Sequence, residues 1–118
     1  MRLLSKILIL FMLSSCAESK PAGFLESIGD GIYVHHGEHL DIDVGYQGDI
    51  CNISVVVGSK GVAVIDTSGS LKVGQQLRAA IAEITKLPIL YVINTHVHPD
   101  HIFGNATFIA DKPTYVGH

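Results

Sequence analysis

Four side chains that could bind a metal ion lie within six consecutive residues of this chain. They are His96, His98, Asp100 and His101, in the segment His-Val-His-Pro-Asp-His. Imidazole nitrogens and carboxylate oxygens are ligands that zinc accepts. In an extended stretch His96 and His98 point to the same side, because alternate residues share a face, so they could hold one ion. Pro99 has a fixed φ and no N–H, which predicts a turn that lets Asp100 and His101 address a second ion.

The segment follows a series of predicted elements. Apolar residues recur at helical spacing through 71–85, and Pro88 ends that helix. Short apolar, β-branched runs predict strands on both sides of it, two of them joined by a glycine-flanked turn as in a hairpin. The predicted strands are 31–36, 50–57, 62–66, 88–94 and one starting at 114, and 102–108 predicts a short helix.

The order of these elements predicts an α/β fold. A meander of strands comes first and a strand–helix–strand unit follows. That order favours a parallel crossover, and hence a mixed sheet with helices on one face. The segment 96–101 directly follows the buried strand 88–94. It therefore lies at the carboxyl end of a strand, where open α/β sheets usually carry their sites.

The first residues predict an export signal. Residues 1–15 carry two positive charges and an apolar run at 8–13, which is far shorter than the roughly 20 residues that a membrane span needs. Two serines then precede Cys16, a pattern that resembles the lipobox of bacterial lipoproteins. We expect a signal peptide at 1–15, lipid on Cys16, a tether at 16–27 and a domain at 28–118. The alternative is an ordinary signal peptide with an incidental cysteine.

Charge and export limit the partners that we expect. The formal net charge is −3 and Lys and Arg do not cluster, so the chain has no electrostatic footprint for nucleic acid. We expect an exported, periplasmic protein held to a bacterial membrane only through lipid at Cys16. Cys51 would then be the remaining thiol. Its apolar neighbours predict a buried core residue rather than a catalytic one.

The pattern His-x-His-x-Asp-His after a buried apolar strand resembles that of the metallo-β-lactamase superfamily. The likeness continues upstream, because the strand that ends at Asp66 is followed by Thr67, as in that family. Residues 48–53 and 91–96 are similar to one exported subgroup, the zinc metallohydrolases associated with quinoprotein relay systems. The resemblance covers residues 28–118, which correspond to the first half of the family's domain.

The resemblance implies a fold, a metal and roles for individual residues. The fold would be the first half of an αββα sandwich of metallo-β-lactamase type. His96 and His98 would bind the first zinc ion, and Asp100 and His101 would belong to a second site, with one or two Zn²⁺ ions in the complete protein. Asp100 would also orient the attacking water or accept its proton, and Asp66 would brace the ligand loop. The implied reaction is attack of zinc-activated water on an amide, lactam, ester or thioester carbonyl of a small acyl substrate.

The family's remaining ligands come from the second half of its domain, beyond the point where this sequence ends. His118 could be a third ligand or a strand-end residue that precedes a missing half, and we favour the second. We therefore expect a truncated chain, inactive as given, whose metal site needs the missing C-terminal half or a partner chain. Two alternatives are another hydrolase of the superfamily, such as a thioester hydrolase, and a non-catalytic, lipid-anchored, metal-binding accessory protein of a periplasmic redox system.

Other residues are assigned plainer roles. His35, His36 and His39 form a second histidine cluster, but no carboxylate stands at ligand spacing, so we expect surface residues. A contact with substrate is the alternative for them. A stripe of apolar residues on the predicted helix is expected to face the core rather than a partner. That stripe comprises Val73, Leu77, Ile81 and Ile84.

Overall fold

A computed structural model describes residues 23–43 and 45–117 of the chain. The predicted export signal at 1–15, the lipidation site Cys16 and the terminal His118 lie outside these residues. Across the two described ranges, no helix combines the length and the apolar character needed to cross a membrane.

Six strands form one mixed sheet whose spatial order follows the chain. The first four strands pair antiparallel with one another in chain order, whereas the fourth pairs parallel with the fifth and the fifth with the sixth. Parallel neighbours need crossover connections, and helices supply them here. The mixed α/β sheet predicted from the sequence is thus confirmed. The strands are β1 (Glu26–Gly29), β2 (Ile32–His35), β3 (Ile53–Val57), β4 (Val62–Ile65), β5 (Ile89–Ile93) and β6 (Thr114–Val116).

Two α-helices and a 3₁₀ helix make the crossovers. Helix α1 (Leu71–Ile84) begins after Ser70, whose Oγ accepts a hydrogen bond from the Val73 N–H at 3.2 Å and so satisfies one of the free donors of the first turn. Helix α2 (Pro99–Ile102) begins at a proline, which suits the first helical position because no N–H is needed there. It continues directly into a 3₁₀ helix (Phe103–Asp111).

The core lies between the helices and one face of the sheet. Inward-facing valines of β3, β4 and β5 pack against Leu77 and Ile81 of α1 and Phe108 of the 3₁₀ helix, and Leu77 and Phe108 are fully buried. The register places Val56, Ala63 and Tyr91 on the opposite face. There Val56 is 40% and Tyr91 46% exposed. Among the described residues, the helices therefore cover one side of the sheet, as the sequence predicts.

The ordered domain starts earlier than the predicted boundary at residue 28. Strand β1 begins at Glu26, and Phe24 and Leu25 pack against the core. The sequence does not reveal β1, because its four residues are all exposed and show no apolar alternation. Its pairing with β2 stabilises it instead. The predicted helix 102–108 is also revised, since the helical stretch starts at Pro99 and is 3₁₀ from Phe103 onward.

His35 is not the surface residue that the sequence predicts. Its ring stacks on Phe24 with centroids 4.0 Å apart, its Nδ1 donates to the Phe24 carbonyl at 3.0 Å, and its Nε2 faces Asp49 Oδ1 at 2.5 Å. A histidine can make these contacts because it offers both an aromatic face and two ring nitrogens. The prediction was wrong for His35, which ties the N-terminal segment to the loop before β3. It is confirmed for His36 and His39, which are exposed.

Candidate metal centre

The structure brings the four predicted metal-binding residues together at the carboxyl end of β5. His96 and His98 lie in the loop between β5 and α2, whereas Asp100 and His101 lie in α2. The His96 ring centroid is 4.0 Å from that of His101 and 4.7 Å from that of His98. Asp100 Oδ2 is 3.2 Å from His101 Nε2. His96 and His98 are exposed and the other two half-buried, so solvent reaches the donors.

Asp66 holds this loop from the end of β4. It is only 3% exposed and adopts a positive φ of 60°, just where the strand stops. Its carboxylate accepts hydrogen bonds from the Thr95 backbone N–H at 2.8 Å, the Thr95 hydroxyl at 2.7 Å and His101 Nδ1 at 2.8 Å. The bond to Nδ1 fixes the His101 ring so that its Nε2 faces Asp100. Carboxylates orient metal-binding histidines in this way.

A second set of hydrogen bonds, which sequence reasoning missed, lies on the other side of the same loop. The Thr67 hydroxyl donates to Asn105 Oδ1 at 2.7 Å, and Asn105 Nδ2 donates to Asn94 Oδ1 at 2.8 Å. The Thr67 backbone N–H also donates to the His101 carbonyl at 2.9 Å. These bonds connect the ends of β4 and β5 to the 3₁₀ helix. Nothing in the local pattern identifies them, because the partners are 11 to 38 residues apart.

A cleft of about 240 Å³ borders the cluster on its His96 side, next to β6. Its lining combines side-chain amides with apolar groups. It therefore offers hydrogen bonds and apolar contact to a small molecule beside the metal donors. The residues that line it are Asn94, His96, Val97, Ile102, Asn105, Tyr115, Val116 and Gly117.

The four clustered side chains are of types that bind zinc. Imidazole and carboxylate are zinc ligands, and the Asp66–His101 bond is the support that such ligands usually have. Within residues 23–43 and 45–117, however, no three His, Cys, Asp or Glu side chains are placed to hold one ion. The described residues thus contain candidate ligands without a complete ligand set.

Cys51 lies beneath the site and is not part of its chemistry. The residue is 4% exposed and belongs to the core, as the sequence predicts. Burial, with a further contribution from the negative charge of Asp66, raises the pKa of its thiol to about 12. The thiolate is the nucleophilic form, so a thiol that stays protonated is unreactive.

Tyr46 is a further residue of this region that sequence reasoning missed. Its hydroxyl lies against Gly69, beside the backbone of Asp100. Burial and then the negative charge of Asp100 raise the pKa of the phenol above its usual value. The residue lies in a loop more than 50 positions before Asp100 in the chain. Only the folded arrangement brings the two together.

Comparison with known proteins supports the fold and the family. The family model for the metallo-β-lactamase superfamily matches residues 46–118. A linear primary-alkylsulfatase of Pseudomonas sp. (strain ATCC 19151) is 29% identical over 63 residues, which are 53% of this chain and 12% of that protein.

A crystal structure of a metallo-β-lactamase from Erythrobacter litoralis, with β-mercaptoethanol in its active site, superimposes with a TM-score of 0.64 at 20% identity. The match covers 77% of this chain and 39% of that one. The chain therefore spans well under half the length of either protein. Because the family model extends over more than half of the chain, and the fold agrees, this protein belongs to the metallo-β-lactamase superfamily.

Proposed function

We propose that this chain carries the zinc-binding part of a hydrolase that cleaves small acyl substrates. The observation that carries the proposal is the Asp66–His101 hydrogen bond of 2.8 Å, which connects a buried carboxylate to one of four clustered metal donors. Burial of a charged carboxylate costs desolvation free energy, so a contribution to stability is a weak reason for the protein to keep one beside a histidine. Membership in a superfamily of hydrolases supports the same conclusion.

Each side chain of the cluster has a role in this proposal. His96 and His98 would hold one zinc ion, and Asp100 with His101 would hold a second. Bound zinc supplies Lewis acidity that polarises a substrate carbonyl and acidifies water. Asp100, half-buried beside His101 Nε2, would accept the proton of the attacking water at its carboxylate. Asp66 would keep His101 in the tautomer that binds metal through Nε2.

The remaining ligands would come from residues outside those described, in a further part of the protein or in a partner chain. A catalytic zinc ion usually has three protein ligands and an open position. His96 and His98 provide two for the first ion. Export and lipid attachment at Cys16 belong to the same proposal, and would place the site in the periplasm.

The likeness to an alkylsulfatase adds a second class of substrate, a sulfate ester. The non-catalytic alternative is a protein that binds zinc at the same cluster and turns nothing over. A panel of one lactam, one carboxylic ester, one thioester and one alkyl sulfate separates these possibilities.

The experiment uses the full product isolated from its native host and loaded with zinc. We expect hydrolysis of at least one member of the panel, and a loss of about 10²-fold or more in kcat for Asp100→Asn, because removal of a general base costs that much. Asp41→Asn, an exposed carboxylate in a loop, is the matched control and should retain activity. Bound zinc without turnover of any substrate would reject the hydrolase in favour of the accessory protein.

A further inference from the structure

The cleft beside His96 is small and has walls without formal charge. Among the described residues that line it, none is Lys, Arg, Asp or Glu. Its volume of about 240 Å³ corresponds to roughly eight water molecules at about 30 Å³ each, so it can take a group of a few non-hydrogen atoms. Burial of an unpaired ion against such walls costs free energy, because no opposite charge replaces its hydration. The cleft therefore suits a small, uncharged group.

Two side-chain amides in the cleft lining have hydrogen-bond donors to spare. Asn94 Nδ2 donates to Asn105 Oδ1 at 3.2 Å, and Asn105 Nδ2 donates to Asn94 Oδ1 at 2.8 Å. The Thr67 hydroxyl also donates to Asn105 Oδ1, at 2.7 Å, and so helps to hold the pair in place. An amide NH₂ group has two N–H bonds, and in the part of the chain that the structure describes each of these amides uses one. The pair can therefore donate a further hydrogen bond to an acceptor in the cleft.

Most of the remaining lining is apolar. It includes Val97, Ile102, Val116 and the ring of Tyr115. The Tyr115 hydroxyl donates to the Asn105 carbonyl at 3.0 Å, which fixes the ring as one wall of the cleft. Apolar walls next to amide donors favour a group that is itself apolar and carries one hydrogen-bond acceptor.

The cleft is contiguous with the metal cluster, because His96 belongs to both. The His96 ring centroid is 4.0 Å from that of His101 and 4.7 Å from that of His98. A substrate whose carbonyl lies at the cluster can therefore extend its acyl substituent into the cleft. Contacts made there act on a part of the substrate that does not react, and so determine which substrate is accepted.

We propose that this cleft is the subsite for the acyl substituent, and that it selects an uncharged substituent of a few non-hydrogen atoms with a hydrogen-bond acceptor. This inference rests on the proposed function. The apolar atoms of the substituent contact Ile102 and Val116, and its acceptor takes a hydrogen bond from the Asn94–Asn105 pair.

Gly117 leaves the room that such a substituent needs. A Cβ built on Gly117 would lie 3.5 Å from the Asn94 carbonyl oxygen and 3.7 Å from the Asn94 Cβ, which is ordinary contact. A larger side chain at 117 thus meets no collision at its Cβ, points toward Asn94 and takes up space in the cleft. Gly58, in the turn between β3 and β4, is the matched control. A Cβ there also has its nearest neighbour at 3.5 Å, the Gly61 carbonyl oxygen, and Gly58 does not line this cleft.

The test measures kcat/KM of the zinc-loaded full product on four phenyl esters, each divided by the rate of that ester with hydroxide. The esters are the acetate, the butanoate, the methoxyacetate and the 3-sulfopropanoate. We expect a rise of about 10-fold or more from acetate to butanoate, because a methylene in an apolar pocket contributes at least that much. The methoxyacetate has the length of the butanoate and an added ether acceptor, so a further rise of about 2–10-fold is expected. The anionic 3-sulfopropanoate should be no better than the acetate.

Filling the cleft tests its position. Gly117→Leu should lower kcat/KM for the butanoate and the methoxyacetate by about 10-fold or more beyond any loss on the acetate. Each ester is compared between two proteins, so its own reactivity cancels. Gly58→Leu should keep the wild-type pattern. Zinc content and thermal midpoint should stay at wild-type values in both variants. If Gly117→Leu does not fold, the four-ester series of the wild type decides by itself.

The outcomes separate this inference from the proposed function. Equal normalised kcat/KM on all four esters, or an equal loss on acetate and butanoate in Gly117→Leu, would overturn this inference and leave the proposed function standing. A wild-type protein inactive on all four esters would also overturn it. Inactivity on the lactam, the thioester and the alkyl sulfate as well would overturn the proposed function too.

Discussion

At the scale of single residues, the site depends on one buried carboxylate that makes three charge-assisted hydrogen bonds. Asp66 connects the end of β4 to Thr95 and His101. It thereby fixes the start of the loop that carries the metal donors and the orientation of the His101 ring. The sequence predicts that Asp66 braces the loop, because the family pattern marks that position. It does not predict Tyr46, Asn94 or Asn105, because their contacts form only when distant segments meet.

Replacement of Asp66 with asparagine should weaken both the fold and the metal site. The amide turns an NH₂ group toward donors that need acceptors, and buried hydrogen bonds to a charged group contribute about 2–3 kcal/mol. We expect urea denaturation to show a loss of that size in the free energy of unfolding, and zinc affinity to fall about 10–100-fold. Asp30→Asn, an exposed carboxylate in the β1–β2 turn, is the control. Equal stability and zinc affinity in Asp66→Asn would mean that the brace is not needed.

Cys51 predicts a dependence of stability on alkaline pH. Its pKa is about 12 in the folded protein against 9.0 for an ordinary thiol, so the unfolded chain loses this proton first as pH rises. The contribution of Cys51 is therefore fully present below pH 9.0 and declines as pH rises toward 12. Unfolding free energies of the wild type and Cys51→Ala, measured from pH 8 to pH 11, should converge as pH rises. A constant difference would contradict the raised pKa.

At the scale of elements, the sequence predicts what local pattern determines. The interior strands and α1 are strongly apolar or strongly periodic, and their bounds agree with prediction within a few residues. β1 is missed because only its pairing with β2 stabilises it. The 3₁₀ helix is held by tertiary contacts, including Arg78 of α1, which donates to both carboxylate oxygens of Asp111 at 2.9 and 2.7 Å. Such contacts override local preference.

Helix α1 offers a direct test of which of its faces packs on the sheet. Leu77 is fully buried, whereas Leu71, in the same helix, is 52% exposed. Leu77→Ala should lower the free energy of unfolding by about 2–5 kcal/mol, because it removes buried methyl groups and leaves a cavity. Leu71→Ala should change it by about 0.5 kcal/mol or less. Similar losses in the two variants by urea denaturation would contradict this packing.

At the scale of the whole molecule, the fold gathers a site from two stretches of chain. The parallel pair β4 and β5 ends at the same edge of the sheet, so Asp66 after one strand meets His96 to His101 after the other. The sequence predicts this meeting, because parallel strands separated by a helix carry their sites at their carboxyl ends. It cannot predict how the cluster is completed, because no three donors among the described residues converge on one ion.

The most direct test of the central claim is the amount of zinc bound per chain in the full product from its native host, measured by elemental analysis. The paired substitution His96→Ala and His98→Ala should remove most of the zinc that the wild type retains. His36→Ala with His39→Ala removes the same number of imidazoles from exposed positions outside the cluster, and should leave zinc unchanged. Equal zinc in the wild type and both paired variants would contradict the assignment of the metal centre.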